Sequence, residues 1–214
     1  MDGAKLQDRL YLGAGKSARF IGQPADAFRP KGTTNPLDRQ NRFLRLPAAF
    51  VSTKGKGLQA NAYGDALWHG LFDASYTQAG DYIILPTGQF FIASQSPLLP
   101  VLCVKANRQI TIIRPNIQTN IASNTYGGYM TGHSVTLMEG WPASILGETR
   151  SSPSSVDLPT DQTVPYWNIL LPATAKVALS PGDLVTDDLT RTAIICQSEL
   201  TDLGWRINAK MATT

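Results

Sequence analysis

The chain has 214 residues, of which 43% are hydrophobic and 16% are charged, and its formal net charge is +3. This composition excludes a disordered chain, which has few apolar residues and a high net charge. No stretch approaches the ~20 consecutive apolar residues of a membrane span, and the first residues do not resemble a secretory signal peptide. Eighteen glycines and fourteen prolines, with so few charges, favour an all-β chain with many turns.

Charge is distributed unevenly along the chain. Residues 1–56 carry eleven Lys or Arg against four Asp, which leaves the remainder of the chain net negative. A basic N-terminal segment is typical of contact with nucleic acid or with an acidic protein surface. Because these cations are not interleaved with stacking aromatics, a solvated segment or contact with a neighbouring subunit is favoured over nucleic acid.

The N-terminal segment is predicted to lie outside any compact domain. Leu6 and Leu10 fall on one helical face and predict a short helix over Ala4–Tyr11. From about residue 12 to residue 40, glycines and prolines interrupt every periodicity, which predicts an extended arm lying on another surface. Four cations of this arm are the predicted assembly contacts: Arg19, Arg29, Lys31 and Arg39.

Short apolar runs separated by turn residues follow the arm. The first strand is predicted at Phe43–Val51, and similar runs continue to residue 114. The sequence therefore divides into an N-terminal extended arm (1–41), a first β-barrel (42–114), a polar linker (115–133) and a second β-barrel (134–214).

The two predicted barrels contain an internal echo. Gly80-Asp81 is followed after 15 positions by Gln95, and Gly182-Asp183 is followed after 15 positions by Gln197. Glycine accepts a positive φ and aspartate caps exposed amides, so Gly-Asp predicts the same turn twice. A tryptophan precedes each Gly-Asp: Trp68 and Trp167. The expected architecture is two tandem small antiparallel β-barrels or sandwiches that arose by duplication.

Two short motifs resemble catalytic or nucleotide sites but lack their context. Gly13–Ser17 ends like a phosphate-binding loop, yet Leu10 stands where that motif needs its first glycine. Gly132–Thr136 resembles a hydrolase nucleophile elbow that surrounds His133, but it ends in threonine. The only other histidine, His69, lies upstream, which is the wrong order for that hydrolase triad. No catalytic residue is predicted.

Metal and stacking sites are not favoured either. The cluster Asp183, Asp187 and Asp188 fits a turn better than a cation site. Cys103 and Cys196 are expected to be free buried thiols, with one disulfide as the alternative. The tryptophans are expected in the core or an interface: Trp68, Trp141, Trp167 and Trp205. No metal or cofactor is predicted.

Two stretches resemble virion structural proteins of tailed bacteriophages. They are Gly80–Pro100 and Gly182–Arg206, each with Gly-Asp-apolar, a turn and a short apolar strand. The pattern is similar to small β-barrel connector proteins of the head–tail junction, of the neck or head-closure type. The resemblance covers roughly residues 42–114 and 134–214 and implies no catalytic residues.

The resemblance implies a non-enzymatic protein that forms a homo-oligomeric ring at the head–tail junction or upper tail. Its expected partners are other phage structural proteins, of the portal, adaptor or tail, with non-specific contact to packaged DNA and no membrane. Its expected location is the virion, assembled in the host cytoplasm. Two alternatives remain: a carbohydrate- or host-surface-binding β-sandwich with exposed tryptophans, and a barrel that binds single-stranded nucleic acid.

Overall fold

The computed structural model describes residues 2–52, 64–115, 134–148, 165–173 and 177–211. One helix and six strands form the first half: α1 (Gly3–Ile21), β1 (Gln23–Phe28), β2 (Arg42–Ser52), β3 (Leu67–Leu71), β4 (Tyr82–Leu85), β5 (Gly88–Ser94) and β6 (Val101–Ala106). Six strands form the second half: β7 (Arg108–Arg114), β8 (Val135–Glu148), β9 (Tyr166–Leu171), β10 (Leu184–Asp187), β11 (Thr192–Thr201) and β12 (Gly204–Met211). Short 3₁₀ helices lie at Arg39–Asn41 and Ala74–Tyr76.

Each half is a closed antiparallel barrel of six strands. The strand order is β1-β2-β3-β6-β5-β4 in the first barrel and β7-β8-β9-β12-β11-β10 in the second. Pairing of β1 with β4 and of β7 with β10 closes the two rings. Closure leaves no unpaired strand edge in either sheet. The all-β class and the two tandem barrels agree with the sequence expectation.

The two barrels have the same topology, as the predicted duplication requires. Trp68 on β3 and Trp167 on β9 occupy equivalent pairing positions. So do Pro47 on β2 and Pro142 on β8, each opposite the second described residue of the barrel's first strand. Equivalent residues therefore extend over the whole of each barrel, beyond the Gly-Asp echo.

One predicted equivalence is wrong by one residue. Gly80 N–H donates to Ile92 O, whereas Gly182 N–H donates to Ile195 O, one position further along. The extra residue lies in the β10–β11 turn, where Asp187 N–H donates to Arg191 O. Ser198, rather than Gln197, therefore occupies the place of Gln95.

The predicted boundaries also need correction. β1 lies within the predicted arm but belongs to the first barrel, and β7 lies within the predicted first barrel but belongs to the second. Only Asn107 separates β6 from β7, so the barrels are joined directly. Residues 115–133 connect β7 to β8 within the second barrel, and 116–133 lie outside the described residues. The polar run was mistaken for an inter-domain linker because composition does not reveal pairing partners.

The extended-arm prediction holds for only part of residues 12–40. The predicted helix is present but continues to Ile21: Leu12, Ala14, Lys16, Ala18 and Arg19 favour helix, and Gly15 allows close packing against Asp73. After β1, the chain lies across the second barrel of the same molecule. Thr33 O accepts a hydrogen bond from Trp141 Nε1 at 3.0 Å. The arm therefore packs on its own chain, which the sequence pattern did not indicate.

The buried side chains form two clusters, one inside the first barrel and one that extends from the interior of the second barrel to the face of the first barrel packed against it. One cluster of buried side chains contains Tyr82 and Phe91 of the first barrel together with Trp141 and Ile112 of the second. Tyr82 is fully buried, and its hydroxyl donates to Pro142 O at 2.8 Å. Burial raises the pKa of this phenol well above its ordinary value. The neutral hydroxyl thus links the barrels.

Tyr82→Phe tests this link. The substitution leaves the buried Pro142 carbonyl without its donor, so we expect the free energy of unfolding to fall by about 1–3 kcal/mol. Urea unfolding measures it, with Tyr76→Phe as control because Tyr76 is 70% exposed. Equal destabilisation by both variants would contradict the link.

The two cysteines are free, but only one is buried. Cys103 lies inside the first barrel, where burial raises the pKa of its thiol, partly opposed by a hydrogen bond with the Gly70 backbone. Cys196 is exposed, contrary to the expectation of two buried thiols. Cys196 directly follows the buried Ile195, so strand alternation places it on the outer face of β11, at the register shift between Ile195 and Gln197.

Thiol titration with a chromogenic disulfide should distinguish the two cysteines. Cys196 should react promptly, while Cys103 should react only after denaturation, because a buried neutral thiol is a poor nucleophile. Cys196→Ser should abolish the fast phase. Two fast thiols in the wild type would show that the first barrel opens readily.

Candidate assembly interface

An arginine and an aspartate lock the closing seam of the first barrel. Arg29 Nε lies 2.9 Å from Asp81 Oδ1, and Arg29 Nη2 lies 2.7 Å from Asp81 Oδ2. They form the next cross-strand pair beyond Phe28 and Tyr82, where β1 meets β4. The Asp81 carboxylate is fully buried and also accepts from Gln78 N–H at 2.9 Å. We call this bidentate pair a clasp.

The second barrel repeats the clasp. Arg114 Nε lies 2.7 Å from Asp183 Oδ1, and Arg114 Nη2 lies 2.8 Å from Asp183 Oδ2, beyond the end of the β7–β10 pairing. Asp183 accepts from Ser180 N–H at 2.8 Å, as Asp81 does from Gln78. Hydrogen bonding to these carboxylates raises the pKa of both arginines, against a smaller lowering by desolvation. The repeated Gly-Asp therefore has a structural role, since each aspartate forms the clasp of its barrel.

Sequence reasoning identified the aspartates but missed their arginine partners. A signal was present, because each arginine directly precedes a proline: Arg29-Pro30 and Arg114-Pro115. Matching turns for Asp81 and Asp183 are confirmed. Both turn glycines have positive φ, +93° at Gly80 and +94° at Gly182.

Asp81→Ala and Asp183→Ala should each destabilise the protein by about 1–3 kcal/mol, since each leaves a guanidinium and a main-chain amide without their acceptor. Chemical unfolding gives the measurement. Asp188→Ala is the matched control: its 41% exposed carboxylate lies 3.8 Å from Arg108 Nη1, and such pairs contribute about 0–1 kcal/mol. Equal effects at all three sites would contradict a structural role for the clasps.

The four predicted contact residues divide into two groups. Arg29 is held in the clasp and also lies 4.5 Å from the centre of the Phe43 ring. Arg19, Lys31 and Arg39 are exposed, on α1, in the segment after β1 and in a 3₁₀ helix respectively. Within the part of the chain that the structure describes, no acidic side chain lies within ion-pair distance of these three. They remain predicted assembly contacts.

Helix α1 lies on the first barrel and presents a basic outer face. Gly15 and Ala18 are buried, and a Cβ at Gly15 would lie 2.8 Å from Asp73 Cβ, so the helix can approach this closely only with glycine. Four exposed cations are spaced for one helical side: Lys5, Arg9, Lys16 and Arg19. Phe20 and Ile21 end the helix and are 89% and 65% exposed.

Open apolar grooves lie at equivalent places on the two barrels. The α1 groove, of about 510 Å³, lies between the first barrel and α1. The inter-barrel groove, of about 570 Å³, lies between the second barrel and the first. Equivalent residues line both, as strand pairing shows: Val51, Leu71 and Phe72 in the former, Leu146, Leu170 and Leu171 in the latter. Each barrel therefore has the same groove wall. The opposite wall is α1 in the first groove and the first barrel in the second groove.

The motifs considered for chemistry have structural surroundings. Gly13–Ser17 lies within α1, not in a loop. Asp187 pairs with Arg191, with 2.6 Å between its Oδ2 and Arg191 Nη2. Burial opposes ionisation of this carboxylate, but hydrogen bonds from Arg191 outweigh it and lower the pKa. His69 lies in β3, and His133 lies outside the described residues. Among the described residues, no three His, Cys, Asp or Glu side chains are grouped to hold a metal ion.

The tryptophans pack inside the molecule. Trp141, Trp167 and Trp205 are at most 8% exposed. Trp68 is partly buried and packs edge-on against Phe90 at 6.0 Å between ring centres. The expected core positions are confirmed for the first three.

No family model, curated protein or solved structure matches the chain. Of the described residues, none belongs to a helix both long enough and apolar enough to span a bilayer. We therefore infer the function from the surfaces of this molecule.

Proposed function

We propose that this chain is a non-enzymatic structural protein of a tailed-phage virion, whose copies assemble into a ring at the head–tail junction or upper tail. The observation that carries the assembly is the set of large apolar side chains left exposed on α1 and on the strand connections. Neighbouring exposed apolar side chains such as Phe20 and Ile21 are typical of protein interaction surfaces. Those with more than half their surface exposed are Leu12, Phe20 and Ile21 on α1, Tyr76 in the second 3₁₀ helix, Leu99 between β5 and β6, and Val135, Leu189 and Leu200 in the second barrel.

The barrel interiors support a structural role. Both are filled by side chains, and the large grooves lie on the outside, at the helix and between the barrels. The charged groups buried in the barrels are held in arginine pairs that stabilise turns and seams. The phage location rests on the resemblance of the Gly-Asp segments alone.

The two alternatives fare differently. A carbohydrate-binding face would need exposed tryptophans, and all four tryptophans are at least partly buried, which counts against it. The basic face of α1 favours contact with a polyanion, and in a ring this would be the packaged DNA. In our proposal such contact accompanies assembly and does not replace it.

The predicted contacts can be tested by native mass spectrometry and negative-stain imaging of the purified protein. Wild type should form a closed oligomer of more than two subunits that weakens as salt rises, because the basic contacts are screened. Charge reversal at Arg19, Lys31 and Arg39 together should shift the protein to smaller species without changing its thermal stability.

Lys210→Glu is the matched control, because Lys210 is an exposed cation in the second barrel. A wild-type monomer at every concentration and salt, alone and with phage particles, would refute the proposed assembly. Oligomers unaffected by the triple reversal would remove these cations from the interface. Strong salt-dependent DNA binding by a monomer would favour the nucleic-acid alternative instead.

A further inference from the structure

We propose that Phe20 and Ile21 at the end of α1 dock into the inter-barrel groove of a second copy, joining subunits head to tail. This inference rests on the proposed assembly and names the surfaces that would meet. It combines a fixed apolar projection on one surface with an apolar groove on another.

The projection is rigidly placed. Phe20 is 89% exposed and Ile21 65% exposed, although both stand on a helix whose Gly15 and Ala18 are buried against the first barrel. Gly22 ends the helix against β2, where a Cβ would lie 2.6 Å from Ala48 O. Because the helix is anchored at this end, little conformational freedom is lost when Phe20 and Ile21 bind.

The groove has the size and chemistry to receive them. Its volume of about 570 Å³ is lined mainly by apolar side chains from both barrels. Such volumes are within the ~300–1,000 Å³ of sites that hold apolar groups. At its rim, Leu203 in the β11–β12 connection remains 48% exposed. Docking would cover it together with Phe20, as apolar anchors commonly meet at interface centres.

Charge favours this pairing over a contact between two helices. Lys16 and Arg19 lie on the outer face of α1 beside Phe20. Asp202 lies at the groove rim beside Leu203, and the cation of the groove lining, Arg206, stands opposite Glu199 in the β11–β12 pairing. Two α1 faces would place like charges together, whereas α1 against the groove brings opposite charges together.

The projection and the groove share no residue, so each copy presents both. A contact between different surfaces is heterologous, and repetition of it generates a ring when the rotation closes. This is the symmetry that the proposed function requires.

The experiment uses one variant for each surface. Phe20→Ser removes the projection from an exposed position, so the fold should be unaffected, and Leu203→Asp places a charge at the groove rim. Each full-length variant should associate at least ~30-fold more weakly than wild type, the loss expected at an interface hot spot. Ile194→Thr is the control: Ile194 is 43% exposed within β11 and lies outside both the projection and the groove, so this variant should assemble like wild type.

Mixing the two variants tests which surfaces meet. Phe20→Ser keeps an intact groove and Leu203→Asp keeps an intact projection, so an equimolar mixture should form heterodimers and no larger species by native mass spectrometry. Thermal melts of the separate variants confirm folding, and Leu203→Ser replaces Leu203→Asp if the latter melts early.

The outcomes separate this inference from the proposed function. Rings formed by both variants, or a mixture that stays monomeric, would overturn the docking while leaving assembly intact. A wild type that never exceeds a monomer would overturn both, and binding of that monomer to anionic vesicles through Phe20 would assign the projection to a membrane instead.

Discussion

The salt-bridged seam between the first and fourth strands of each barrel is the contact on which the architecture depends. A six-stranded sheet that failed to close there would expose two strand edges, which pair readily with other chains. Asp81 and Asp183 place a buried carboxylate at the end of that seam and hold it with an arginine from the first strand. The same aspartates connect to the fifth strand, because their carbonyls accept from Ile92 and Ile195. In each barrel, one aspartate thus connects three strands through its side chain and its main-chain carbonyl.

Because both barrels are closed and filled, the outer surfaces are where this chain can contact a partner. Once both interiors are packed, the two barrels differ mainly in what lies against their outer surfaces. α1 has no counterpart before β7, since a single residue separates the barrels. The first barrel instead supplies the second wall of the groove on the second barrel. A duplicated unit therefore became an asymmetric subunit with a projection at one place and a groove at another.

The sequence predicted the features that depend on local chemistry. Gly-Asp marked both turns because a positive φ and a capping carboxylate are local requirements. The strand Phe43–Val51 was found because β2 alternates inward and outward residues over much of its length.

Features that depend on distant pairing were missed. β1 has Ala25 and Ala27 facing the interior, and alanines give too weak a hydrophobic signal to show that the segment closes a barrel. The clasp arginines lie 52 and 69 positions from their partners, a separation that only tertiary structure resolves. The predicted helix is too short because Gly13 and Gly15 indicate a break in the sequence. In the structure, Gly15 instead allows the helix to pack closely on the first barrel.

Each clasp closes its own barrel. Amide hydrogen exchange under native conditions, read by mass spectrometry for Arg29→Ala and Arg114→Ala, tests it most directly. We expect Arg29→Ala to speed exchange in β1 and β4 while β7 and β10 keep wild-type rates, and Arg114→Ala to do the reverse. Unchanged exchange at both seams, or an equal rise in both barrels from either variant, would contradict the claim.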